Sequence, residues 1–244
     1  LTFKIIPIFT LILLTLQEPI RAQEINPELA RADTLFNEKK YTQSFEIYQH
    51  LLRSERRASP AMLLKMAYIR EGLGDYANAL YYLNLYYLRT NNKRALRKME
   101  DIAKKYDLQG YRFTDLEFFL NIFHRYYFTV VLSLSSLLVL LLSYMLYKKQ
   151  RLHEKPGFSL FYTILTLLIL FYVVNLGKSY HQGIIIHPDT YLMAGPSAGS
   201  KLIGIVDQGH RVKVKGKKDV WVKVEWEDQE AYIRENNLLQ IMEM

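Results

Sequence analysis

The sequence contains no cysteine. Disulfides, thiol nucleophiles, thiolate metal sites and the lipid-modified cysteine of a lipoprotein are therefore excluded. Other signatures of chemistry are missing as well: there is no His-Glu-x-x-His, no Gly-x-Ser-x-Gly and no phosphate-cradling glycine loop. Six histidines stand at 50, 124, 153, 181, 187 and 210, and His181, His187 and Asp189 cluster too loosely to specify a metal site. No catalytic residue, cofactor or metal is expected, and the expected class is non-enzymatic. A serine or carboxylate pair assembled across the fold is the one catalytic route left open.

Positive charge is not concentrated enough to suggest nucleic acid. The net charge of +8 divides as +1 over residues 1–22, +4 over 23–125, +3 over 148–157 and zero over 178–244. A nucleic-acid face gathers Lys and Arg on one surface, so no nucleic-acid partner is expected. Charge of either sign is missing altogether from residues 126–147 and 158–176, which hold no Asp, Glu, Lys, Arg or His. At about 1.5 Å per residue either run, as a helix, crosses a hydrocarbon core about 30 Å thick. Proton relays and ion paths within a membrane use ionisable groups, so these runs are expected to anchor. Ser133, Ser135, Ser136 and Ser143 offer small surfaces to a partner helix.

Between the two runs lies KKQRLHEKPG, where Lys148, Lys149, Arg151 and Lys155 face a single Glu154. The positive-inside bias makes this loop cytoplasmic and therefore topology-determining. Residues 1–22 give the same orientation independently: Lys4, an apolar run over 5–16 and a polar end at Ala22 follow the order of a secretory signal peptide. Ile20 is large for the position three before the cleavage point, which leaves an uncleaved anchor as the alternative. In either case residues 23–113 and 178–244 are expected on the same, outer side.

Residues 29–106 place apolar side chains at helical spacing, and two stretches repeat one another. Tyr41, Ser44, Tyr48 and Leu51 share offsets of three, four and three with Tyr76, Ala79, Leu83 and Tyr86, and Ser44 and Ala79 are 35 residues apart. The spacing predicts helical hairpins in which a small residue of the second helix packs closely on the first. This resembles the tetratricopeptide (TPR) repeat, with the Gly74-Asp75-Tyr76 turn as its best match. Two such units need a capping helix, expected near 93–106, or a partner chain. The resemblance implies a concave peptide-binding face including Asp33, Phe36, Leu64, Tyr68 and Glu71. Thr114 and Glu117 then have capping-box spacing, predicting a helix from Asp115 into the first apolar run.

From Ile184 onward, short runs alternate between turn residues. RVKVK at 211–215 and WVKVEW at 221–226 put Val212 with Val214, and Val222 with Val224 and Trp226, on one face of half-buried strands. Turn signals at Gly195-Pro196, 207–209 and 217–219 complete the pattern of a small antiparallel barrel. Leu192, Gly195, Pro196, Ser197, Gly209, Trp221, Lys223 and Val224 match the motif of the bacterial SH3 (SH3b) domain, which this segment resembles. Ala231, Tyr232 and Ile233 stand where that family has Gly-Trp-Val. The resemblance implies peptide ligands, often of the cell wall, held by exposed aromatics; Tyr191, Trp221 and Tyr232 are the candidates, with a place in the barrel core as the alternative for each.

The resulting fold class is a multi-domain membrane protein: an all-α helical-hairpin domain at 23–113, a juxtamembrane and first transmembrane helix at 114–147, a loop at 148–157, a second transmembrane helix at 158–177 and a small all-β barrel at 178–244. That order of parts is similar to the BatE family of Bacteroides aerotolerance proteins. The resemblance implies a scaffold of the bacterial cytoplasmic (inner) membrane, two-pass, with both terminal domains in the periplasm. Its implied partners are other envelope or membrane proteins, among them von Willebrand A-domain and TPR proteins of the same operon, together with cell-wall peptide. A cell-wall-targeting accessory or hydrolase is the alternative function.

Overall fold

The computed structural model describes residues 26–54, 58–112, 115–151, 157–176 and 181–241. The expected signal segment, Thr114 and Lys155 lie outside the described residues. The chain forms two compact units, residues 1–56 and 57–244.

In the first unit α1 (Pro27–Asn37) and α2 (Tyr41–Ser54) pack as an antiparallel hairpin. Asn26 starts α1 by accepting from the Glu28 and Leu29 amides, and Pro27 follows at a position where a missing N–H costs nothing. Ser44 is fully buried and donates to the Ala32 carbonyl at 2.8 Å, so the two backbones approach closely with the hydroxyl satisfied. Next to it the Tyr48 hydroxyl donates to Asp33. Burial, reinforced by that hydrogen bond, holds the Tyr48 phenol far above its ordinary pKa.

The second unit opens with α3 (Pro60–Gly72), α4 (Tyr76–Thr90) and α5 (Lys93–Lys105). Ser59, Asp75 and Asn92 cap their N-termini, each supplying an acceptor to an otherwise orphaned amide. Ala79 is fully buried, like Ser44 in the first hairpin. Helix α5 buries Ala95, Met99, Ile102 and Ala103, the stripe expected of an amphipathic helix. Its Lys98 reaches Glu71 of α3 at 2.6 Å.

Helix α6 (Asp115–Arg151) begins where expected and continues past the apolar run. Lys148, Lys149 and Arg151 therefore close this helix, where cations complement the negative end of the macrodipole, instead of lying in a loop. Helix α7 (Gly157–Leu176) packs against α6 and buries Thr163, Thr166 and Val173 at helical spacing. Thr163, Thr166 and Asn175 return their side-chain hydrogen bonds to carbonyls one turn back. Apolar windows at Tyr126–Gln150 and Gly157–Asn175 are long enough to cross a membrane and are compatible with a two-pass protein.

The sheet consists of β1 (His181–Ile185), β2 (Thr190–Met193), β3 (Leu202–Val206), β4 (Arg211–Lys218), β5 (Trp221–Trp226), β6 (Gln229–Arg234) and β7 (Leu238–Ile241). All pairings are antiparallel in the order β3-β2-β6-β5-β4-β1-β7. Val206 from one edge strand and Leu238 from the other join a single core with Ile185, Leu192, Val212, Val222, Val224, Ala231 and Ile233. One core fed by both edges requires the sheet to curl on itself as a barrel does. Val214 and Trp226 pack against it, as the alternation predicts.

Leu192→Ala removes a fully buried side chain from that core and should lower the unfolding free energy by about 2–5 kcal/mol. Both tryptophans of the chain lie in β5, so urea unfolding of the full chain in detergent micelles, followed by tryptophan fluorescence, reports on the sheet directly. An unchanged midpoint would remove Leu192 from the core.

Candidate ligand-binding surfaces and the junction behind them

The strand register brings the three candidate aromatics of the barrel to one face. Tyr232 opposes Lys223 on β5 and Met193 on β2, while Trp221 lies two residues from Lys223 and Tyr191 two from Met193. Residues two apart on a strand share a face, so Tyr191, Trp221 and Tyr232 all lie opposite the core. Their exposure differs. Tyr191 is 58% exposed beside Ile205, its equally open cross-strand partner, whereas Tyr232 is half-buried. Trp221 is buried, with the Arg234 guanidinium 5.7 Å from its ring centre. That is a cation–π arrangement.

Farther along the same face, charges are paired. Lys213 and Lys215 both reach Glu225, at 2.9 and 2.7 Å, and Lys223 reaches Glu230 at 2.7 Å. Hydrogen bonds from Lys215 and Lys213 hold the Glu225 carboxyl below its ordinary pKa, and Glu230 raises that of Lys223. The face thus carries interleaved signs instead of a one-sign stripe.

The helical candidates divide between the two units. In the first, Asp33 accepts from Tyr48, and the Phe36 ring meets Tyr41 edge-on at 5.4 Å. In the second, Leu64 and Tyr68 lie one turn apart on α3, 45% and 58% exposed, and Glu71 is engaged by Lys98. Among the described residues no three His, Asp or Glu side chains come together as a metal site.

A feature with no local sequence signal joins the helices of the second unit to the sheet. Helix α4 packs against β1 and β7, and Tyr76 stacks on Tyr106 at 4.2 Å. The chain leaving α5 then forms a clamp over residues 108–111. The Gln109 amide donates to His210 Nδ1 at 3.0 Å, and its carbonyl accepts from the Arg211 amide at 3.1 Å. Arg211 Nε donates to the Gly110 carbonyl, and the Tyr111 hydroxyl donates to the Gly209 carbonyl at 2.7 Å. Tyr111 is almost completely buried, with the Arg211 guanidinium 5.4 Å from its ring centre. Burial pushes its phenol far above the ordinary range, against a smaller opposing pull from Arg211.

Two glycines make this approach possible. A Cβ on Gly110 would lie 2.1 Å from the Arg211 carbonyl oxygen. Gly209 has φ of +93°, and a Cβ there would lie 2.8 Å from Tyr76 and 2.9 Å from Leu108. The sequence marks Gly209 as a turn residue, but its closeness to residues about a hundred positions earlier cannot be seen from local pattern.

His210 makes the junction sensitive to protons. Its neutral ring accepts from Gln109 at Nδ1 and meets Trp226 edge-on at 5.2 Å. Burial lowers its pKa below the ordinary 6.5, while Asp207 and Asp107 pull it up to a lesser degree. Protonation would turn the acceptor into a donor facing another donor.

Residues 189–239 match the bacterial SH3 domain family. The match starts one residue before β2 and ends within β7, so β1 lies outside it. No curated protein matches the chain.

Two outcomes test the junction. Gly209→Val should destabilise the sheet by about 1–3 kcal/mol through its positive φ and the contact with Tyr76, read as a lower urea midpoint of tryptophan fluorescence. The His210 contribution is complete above the unfolded-state pKa of about 6.5 and is lost as pH falls from there through the lower folded-state pKa. The midpoint should therefore fall more between pH 7.5 and 5.5 in the native chain than in His210→Asn, whose amide can accept without titrating. Equal falls would exclude His210 as the sensor.

Proposed function

We propose that the protein is a non-enzymatic, membrane-anchored scaffold of the bacterial envelope. Its SH3 domain takes a protein or cell-wall peptide on the Tyr191–Tyr232 face, and its TPR-like helices take a protein segment, with Leu64 and Tyr68 as the open contact. The clamp carries the reading. Residues 109–111 precede both apolar helices, residues 209–211 follow both, and the two segments are hydrogen-bonded to each other. Segments in direct contact share a compartment, so any membrane crossings between them must be even in number. Two crossings by α6 and α7 satisfy this, and the bases at 148–151 supply the inward side by the positive-inside bias. This supports a two-pass anchor in the inner membrane with both binding regions in the periplasm.

The role fits the BatE-like order of parts. Von Willebrand A-domain and TPR proteins of one operon are the partners proposed on that basis. Two ligands held on one body raise each other's effective concentration without any catalytic step.

A reporter active only outside the cytoplasm should be silent when inserted after Gln150 and active when fused after Met244. The reverse pattern overturns the orientation. Crosslinking in intact cells should recover envelope proteins, with recovery lowered several-fold by Tyr191→Ala or Tyr68→Ala. Release of wall fragments by the purified chain would replace scaffolding with hydrolysis.

A further inference from the structure

The end of α5, the clamp, β1, β4, β5 and the β5–β6 turn line a groove of about 940 Å3, within the range of roughly 300–1,000 Å3 typical of small-ligand sites. It lies apart from the aromatic candidates of the barrel and exists only because the helical segment docks on the sheet. Its floor is built: Arg211 and Gln182 line it while only 7% and 9% exposed. The Gly110 carbonyl and the Tyr111 ring fix the Arg211 guanidinium in place. Such preorganisation reduces the ordering needed on binding.

The rim carries both signs. Lys104 contributes positive charge from α5 and Arg112 from the residue after the clamp; Asp107 and Asp228 contribute negative charge from the turns after α5 and β5. All four are exposed, and none has an ion-pair partner among the described residues. The two-residue β5–β6 turn has positive φ at both Glu227 and Asp228, 49° and 60°, and Asp107 has φ of 51°.

We propose that the groove binds a short peptide bearing free ionic groups of both signs, with a carboxylate held by Arg112 and Lys104 and an ammonium held by Asp107 and Asp228. A planar guanidinium suits a carboxylate in particular. A peptide of single sign leaves the opposite rim uncompensated, which gives the site its selectivity. Trp226, in the wall, supplies apolar contact.

This inference is independent of the scaffolding reading. Loss of partner capture in cells with peptide binding intact would refute scaffolding alone, and the converse would refute the groove alone. The probe is the tripeptide Ala-Glu-Lys with free termini, titrated by calorimetry into the full chain in detergent micelles. A Kd of about 0.1–1 mM is expected, and Arg112→Gln and Asp228→Asn should each weaken it by roughly 5–10-fold. Lys223→Gln, on the sheet away from the groove, should leave it unchanged. All three positions carry surface side chains, and an unchanged urea midpoint verifies that each variant folds. The proposal is overturned by no saturable binding at ~10 mM, by equal binding of the blocked, neutral Ala-Gln-Gln, or by native affinity in a folded Arg112→Gln, Asp228→Asn double variant.

Discussion

The hydrogen bond from the Tyr111 hydroxyl to the Gly209 carbonyl sets the condition under which the rest of the second unit can exist as one body. A buried phenol left without a partner costs about 1–3 kcal/mol, whereas the bond itself contributes a net of about 1 kcal/mol. The asymmetry matters because Tyr111 is nearly inaccessible to water. If the sheet leaves, water must reach the hydroxyl, and the Gln109 amide and Gly110 carbonyl lose their partners with it. These bonds lie within three consecutive residues and therefore break together. Glycine at 110 and 209 is what permits the approach, since a Cβ at either would collide with the opposite side.

That junction changes what α6 and α7 have to do. A long intervening segment raises the entropic cost of closing a contact only logarithmically. Two antiparallel helices reduce it further by returning the chain to its starting side. Helix α7 satisfies three of its polar groups internally: Thr163, Thr166 and Asn175 bond to carbonyls one turn back. Residues 126–147 and 158–176 hold no Asp, Glu, Lys, Arg or His.

Short-range regularities were legible in the sequence. Ser44 and Ala79 were marked by their equivalent spacing, and both are fully buried. The strict alternation of β4 and β5 assigned Val212, Val222 and Val224 to the core, where they lie. The first half of β1 was missed, because His-Gln-Gly has no apolar alternation; its pairing with β4 and β7 decides its conformation. The end of α6 was missed for a different reason: Lys148, Lys149 and Arg151 look like a loop by charge, yet cations are favourable in a last helical turn. Residue type leaves Trp221 open between ligand contact and barrel core; it is buried, with the Arg234 guanidinium of the neighbouring strand near its ring. The clamp itself had no local mark, since its partners are separated by about a hundred residues and neither side is unusual alone.

Rigid coupling has a geometric consequence for scaffolding. Two modules on a flexible tether tolerate many partner geometries and gain effective concentration according to linker length. Here the exposed Leu64–Tyr68 stretch of α3 and the Tyr191 face of the sheet belong to one compact unit, so the clamp restricts their separation. A partner matching that separation gains the full benefit of simultaneous engagement, and one that does not match gains none. Were protonation of His210 to open the clamp, selectivity would be exchanged for reach. On the proposed scaffold role, the junction would then govern which combinations of ligands can be held at once.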